Sequence, residues 1–255
     1  MDVVISAWGG IWGDELGDFR PRSELPQRKH LKLMERSVQL GVAAVGRALG
    51  ARPGWELVPA ERRGLFVGAR PVGSTPDDLE YAIVRSSTDG ELDVGLFGEI
   101  GVPLVHPLWL VKGLSNNIPG YASAYWNLQG ATGNRCEGRA GGLAAIVEAV
   151  RAVAEGRVDL AVAGGADSLL LAPVVEGVVG GEGAAFVVVE RADEGVRVMD
   201  AGVCCHVGGA SPKIDLGAAH GAVELCQALQ RGASGVLVEV VDERSGVRAW
   251  IKLSD

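Results

Sequence analysis

Gly130-Ala-Thr-Gly-Asn-Arg-Cys-Glu-Gly-Arg-Ala-Gly-Gly-Leu-Ala-Ala-Ile-Val-Glu-Ala-Val-Arg-Ala-Val-Ala-Glu-Gly156, followed by Asp159-Leu-Ala-Val-Ala-Gly-Gly-Ala-Asp167, is the stretch that decides the fold. Residues 131–138 are polar and small, yet they lie in the middle of the first half of the chain. Residues 141–155 carry Glu148, Arg151 and Glu155 on one face and alanine and aliphatic residues elsewhere, and Gly156 supplies the stop, so they predict a helix. Residues 160–163 form a short apolar run closed by Gly164-Gly165, the pattern of a buried strand followed by a glycine turn. Strand, helix and strand in this order predict parallel β-α-β wiring.

Outward from that unit the pattern continues. Residues 2–8 are β-branched and apolar and end at Gly9-Gly10, which predicts a buried strand, whereas the polar residues 14–27, with two prolines, predict a loop. Leu31, Met34, Val38, Val42, Val45 and Leu49 recur at helical spacing before Gly50, and residues 65–67 form a short strand. After residue 180 two strands, 185–190 and 196–203, flank a charged turn. A helix follows over 217–229 with Glu224 and Gln227 outward, and the closing strands 236–241 and 247–253 flank a turn at 242–246. No linker separates the parts. The expectation is one α/β domain, residues 1–255, with a first half (1–180) and a shortened second half (181–255).

Composition narrows the function. At 255 residues, with 47% apolar and 22% charged residues, the chain has the balance of a globular protein large enough to need no staples. Glycine is the outlier at 38 residues, spread among alanines and valines, which points to close backbone contacts rather than a low-complexity array. The net charge of −8 leaves no surplus of cations for nucleic acid, and the basic stretch from Arg20 to Arg36 is diluted by Glu24 and Glu35. No apolar run of membrane-spanning length occurs, and no basic residue precedes Arg20 to make a secretory leader. Four cysteines without framework spacing suit a reducing, cytoplasmic setting. A zinc site from Cys204, Cys205, His206 and Cys226 is disfavoured because adjacent strand residues face opposite ways.

Several segments resemble the β-ketoacyl synthases. His106-Pro-Leu-Trp-Leu-Val-Lys-Gly-Leu-Ser-Asn-Asn-Ile-Pro-Gly-Tyr121 is similar to the family's proline–aromatic segment, and Leu128-Gln-Gly130 follows as its Gly-Leu-x-Gly. Residues 145–156 resemble the helix behind the nucleophile, and residues 159–167 the Asp-x-x-x-Ala-Gly-Gly-Ala-Glu strand. Gly181-Glu-Gly-Ala-Ala-Phe-Val-Val-Val-Glu190 and Leu216-Gly-Ala-Ala219 complete the series in family order. The resemblance implies a thiolase-like fold, an α-β-α-β-α layering of two mixed sheets, dimeric, with no cofactor and no metal.

The departures carry the functional expectation. The gap-free pattern from Gly130 to Gly156 places the family's nucleophilic cysteine at Arg139, and a guanidinium is no nucleophile. The second family histidine falls at Ile214 or Asp215, and the first, in a His-Gly-Thr segment, has no counterpart. Such a chain resembles a chain length factor of type II polyketide synthases, in the shortened form of the polyene-type systems. That resemblance implies an inactive subunit that pairs with a catalytic ketosynthase, is served by an acyl carrier protein through the complex, and shapes the acyl tunnel. It implies Trp109 as the residue limiting chain length, with an ordinary core tryptophan beside Leu108, Leu110 and Val111 as the equal alternative, and an interface of Thr132, Gly133, Asn134, Arg135, Cys136, Glu137, Tyr121 and Tyr125. Arg139 is expected to close the pocket or to pair with a carboxylate such as Glu137 or one from the partner. Two rivals stand beside it: a divergent condensing or thioester-processing enzyme using Cys136 or a water, with His206 as base, and a homodimeric scaffold or acyl-binding module.

Overall fold

The structure is a computed structural model, and it describes residues 2–70, 77–170, 179–205, 214–232 and 235–254. The strands are β1 (Asp2–Ile11), β2 (Arg63–Gly68), β3 (Thr132–Arg135), β4 (Leu160–Ser168), β5 (Glu182–Ala192), β6 (Val196–Cys205), β7 (Leu237–Asp242) and β8 (Val247–Leu253). The main helices are α1 (Arg36–Gly50), α2 (Asp77–Arg85), α3 (Asn117–Trp126), α4 (Gly141–Ala154) and α5 (His220–Gln230). The strands order as β7-β8-β6-β1-β5-β4-β2-β3. β2 runs parallel to both β3 and β4, which is the predicted wiring around α4. β5 is antiparallel to β4 and to β1.

The two halves join at a narrow seam. β1 and β6 pair only at Val4 with Arg197 and Ile5 with Val196, and beyond it the second-half strands run antiparallel to one another. The triplet β4-β5-β1, with α4 ahead of β4, is repeated as β7-β8-β6 with α5 ahead of β7. In sequence the seam therefore falls between β5 and β6 and not at residue 180 as expected: β5, Glu182–Ala192, belongs to the first half's sheet, and the second half keeps the antiparallel triplet of the first.

Burial explains the layering. α4 is apolar almost all round, and such a helix must be covered on every side; Leu143, Ala145, Ile146 and Ala149 are fully buried. It lies with α5 in a core that also takes Ile5, Val187 and Val189 from one half and Ala249, Ile251 and Leu253 from the other. α1 and α3 cover the opposite face of the first half, over Ile11, Leu65, Val162, Phe186 and Val188. The layers therefore read helix, strand, helix, strand, in the thiolase-like arrangement. On the outer face of the second half, among the described residues, a polar and aromatic cladding replaces a helix. Trp250 lies over Gly202, donates Nε1–H to Asp200 Oδ2 at 3.0 Å, and takes the Arg248 guanidinium 5.4 Å above its ring.

Two local expectations are corrected. Gly164-Gly165 is no turn: both glycines lie inside β4. A Cβ on Gly164 would stand 2.0 Å from the Ala185 carbonyl oxygen, and one on Gly165 2.1 Å from that of Ala218. They are glycine because two backbones approach too closely for a side chain. Residues 14–27 are not plain loop either, since Glu15–Asp18 and Pro21–Glu24 each form one helical turn, the second started by proline at its first position.

Candidate functional site

The site builds from the turn ahead of α4. β3 ends at Arg135, and the chain reverses through a 3₁₀ turn, Gly138–Ala140, with Gly138 at φ +51°. The first N–H groups of a helix have no partner within it. Arg139 N–H donates to Asp242 Oδ2 at 2.7 Å, and the other oxygen, Oδ1, accepts Ser245 N–H at 2.8 Å. Gly138 admits this approach, since a Cβ there would stand 2.1 Å from Oδ2. Burial pushes the Asp242 carboxyl up, but the N–H groups of Ser245 and Arg139, the Ser245 side chain and the Arg139 charge together outweigh it and hold the group below the ordinary carboxylate range. Arg139 itself is buried, at 7% exposure.

The carboxylate beside Arg139 is therefore Asp242. Glu137, offered by the sequence, instead pairs with Arg135 at 2.7 Å, and Arg135 also reaches Glu148 at 3.6 Å. Sequence reasoning missed Asp242, which it read only as the start of the turn at 242–246.

A matching turn heads α5. Gly217–Ala219 is again 3₁₀, with Gly217 at φ +53°, and Ala218 N–H donates to Asp167 Oδ2 at 3.1 Å. Asp167 is fully buried; its Oδ1 accepts Ser168 N–H at 2.8 Å and lies 2.7 Å from Arg70 Nε. Burial pushes this carboxyl up against the opposing pull of Arg70 and the N–H groups. Just upstream, Ile214–Asp215 pairs in parallel with Val179–Gly180, and Asp215 Oδ1 accepts Gly217 N–H at 2.9 Å. Asp215 is thus tied to its own turn.

The other expected site residues spread over two regions. Thr132, Gly133, Asn134 and Arg135 form β3, which pairs with β2 on one side and is the edge of the sheet. Asn134 Nδ2 donates to Ser115 Oγ at 3.0 Å, and Cys136 follows exposed. Tyr121 and Tyr125, on α3, are half-buried against His30, whose Nδ1 lies 2.7 Å from the Tyr125 hydroxyl. Desolvation raises both phenols above their ordinary value. Trp109 opens a short helix, Trp109–Gly113; it is half-buried, and its buried indole N–H has no partner.

The remaining candidates do not converge. Cys204 and Cys205 are exposed, while Cys226 is buried on α5, where desolvation pushes its thiol far up. His206 lies outside the described residues, and no cluster of metal-ligating side chains occurs among those described. No helix among them is long and apolar enough to cross a membrane.

Comparison with known proteins agrees with this architecture. The chain superposes on the complex of a type II polyketide synthase acyl-carrier protein with its ketosynthase bound to the hexaketide. The TM-score is 0.76 at 13% identity, covering 99% of this chain and 99% of that one. The ishigamide ketosynthase/chain length factor gives a TM-score of 0.66 at 18% identity, with 99% of each chain covered. A ketosynthase in complex with its chain length factor from Xenorhabdus doucetiae gives 0.68 at 13% identity, covering 99% of this chain and 98% of that one. At such identities the likeness is one of fold. No curated protein matches in sequence. The family model of the beta-ketoacyl synthase N-terminal domain matches residues 5–175, more than half of the chain, and the chain belongs to that family.

Proposed function

We propose that the chain is a non-catalytic ketosynthase-like subunit, a chain length factor, that pairs with an active ketosynthase and bounds the tunnel in which the acyl chain grows. The observation that carries this reading is Arg139, buried on the turn ahead of α4 at the position the family pattern gives to cysteine. A thioester exchange needs a thiolate there, and a guanidinium stays protonated. Cys136 offers no replacement: it stands exposed just after the edge strand, and its sulfur lies 3.9 Å from the Asn134 amide Nδ2, which is no base.

Pairing is supported by surface chemistry. β3 exposes a row of backbone groups that another strand can satisfy, and Thr132 and Asn134 lie outward along it. Val94, Val102, Leu104, Val111 and Leu114 are exposed in the segment that leads to Ser115, which accepts from Asn134 of β3, and exposed apolar side chains of this kind suit cover by a second subunit. The catalytic partner would carry the acyl group on its own cysteine, and an acyl carrier protein would deliver units to the complex. Trp109 would set the tunnel's end.

Co-expression with a catalytic type II ketosynthase from the same organism tests the reading. A stable 1:1 complex, required for condensation and inactive when the partner's cysteine is removed, is the expected result. Arg139→Cys in this chain should leave the isolated chain inactive. A sharp homodimer indifferent to the ketosynthase, or thioester turnover by the chain alone that Cys136→Ala abolishes, would sink it.

A further inference from the structure

The head of each helix between the two sheet halves is held by a carboxylate from the opposite half. Asp242, at the end of β7, accepts Arg139 N–H ahead of α4, and Asp167, on β4, accepts Ala218 N–H ahead of α5. Both turns begin with a glycine in the left-handed region, and a Cβ on Gly138 or Gly217 would meet the opposing carboxylate at 2.1 or 2.2 Å. We infer that Asp242 and Asp167 form a reciprocal clasp between the halves, and that the Asp242 arm fills, with the protein's own anion, the backbone N–H position that acyl-transfer chemistry at Arg139 would need.

The chemical argument is independent of the arginine side chain. Acyl transfer builds negative charge on the carbonyl oxygen, and free, preorganised N–H groups aimed at that oxygen lower the barrier. The head of a helix is where a backbone supplies such donors. At Arg139 the donor is already spent on Asp242, whose second oxygen is fixed by Ser245. An incoming oxyanion would have to displace an ionised, buried carboxylate or crowd a second negative charge against it. The turn is therefore closed to thioester chemistry twice, by the side chain that replaced the nucleophile and by the anion that occupies the donor. The clasp rests on this geometry and holds whether or not a ketosynthase binds.

Amide hydrogen exchange by mass spectrometry, on the full chain alone and in any complex it forms, tests both arms. Asp242→Asn keeps the side chain's shape but loses the charge and one acceptor. We expect exchange in residues 137–143 to speed up at least tenfold, with residues 215–220 changing far less, and Asp167→Asn to give the opposite pattern. Unchanged exchange at 137–143 in Asp242→Asn would overturn the clasp. Should that variant fail to fold, the unaltered chain labelled with ¹⁵N-arginine decides. Held by Asp242 at 2.7 Å, the Arg139 amide should exchange at least tenfold more slowly than an unstructured arginine amide at the same pH. An amide that exchanges at the unstructured rate in the folded chain would overturn the assignment.

Discussion

The turns ahead of α4 and α5 are built alike and filled differently. Each has a left-handed glycine, a 3₁₀ turn and a helix whose first free N–H goes to an aspartate of the opposite half. In the second half the position after the glycine is Ala218, and its aspartate is backed by Arg70. In the first half that position is Arg139, which brings its own cation into electrostatic reach of Asp242. Here an aspartate of the opposite half fills both turns, so the two are alike in their backbone and differ in the side chain after the glycine.

The sharpest way to break this likeness is to remove the two glycines. Gly138→Ala and Gly217→Ala each force a side chain into a left-handed backbone and against a carboxylate. Strain of about 1–2 kcal/mol and a disturbed buried hydrogen bond worth about 1–3 kcal/mol should together cost about 2–5 kcal/mol. Gly156→Ala, also left-handed but in open space, is the control and should cost only the strain. Urea midpoints of the three variants check it; equal losses would show that the carboxylates add nothing.

Acid should separate the arms. Asp242 titrates below the ordinary carboxylate value, so its contribution is present above that value and is lost as pH falls through its own lower pKa. Asp167 titrates above it, so its buried charge costs stability at neutral pH, a cost relieved as pH falls through its raised pKa. On acidification the Asp167 effect comes first and stabilises; the Asp242 effect follows and destabilises. Asp167→Asn should abolish the first limb only. Stability measured against pH in the unaltered chain and that variant checks the order, and identical profiles would refute it.

What the sequence displayed and what it hid follow one physical line. The helix over 141–155, its stop at Gly156 and the parallel wiring to 160–163 are local patterns, and each is present in the fold. Gly164-Gly165 misled because a glycine pair marks a turn and a close backbone contact equally well; the deciding neighbours, Ala185 and Ala218, are remote in sequence. Asp242 was hidden for the same reason, 103 residues from the N–H it accepts. One signal was available: the strand that follows the apolar helix of each half, β4 after α4 and β7 after α5, ends near an aspartate, Asp167 or Asp242, ahead of a strand that returns antiparallel. The edge position of β3 was foreshadowed by its polarity, since a strand such as Thr-Gly-Asn-Arg has little to bury.

Trp109 carries the smallest expected change in stability and sharpens the comparison on its functional side, since it lies in the half that would face the tunnel. A tryptophan stop works because the side chain is bulky and has only two rotatable bonds. A fully buried core aromatic costs roughly 3–5 kcal/mol when cut to alanine, through the cavity left behind. Trp109 is only half-buried, with an unpartnered indole N–H, so Trp109→Ala should fall well short of that. Its larger effect should be on product: with the end of the tunnel opened, the reconstituted complex should release acyl chains longer by two-carbon units. Trp250→Ala removes an indole of the same size that packs over Gly202 and bonds Asp200, and it should leave the products unaltered. Mass spectrometry of the acyl products beside thermal melts of both variants decides the matter. A large loss of melting temperature with an unchanged product distribution in Trp109→Ala would make that residue core and end its role as the stop.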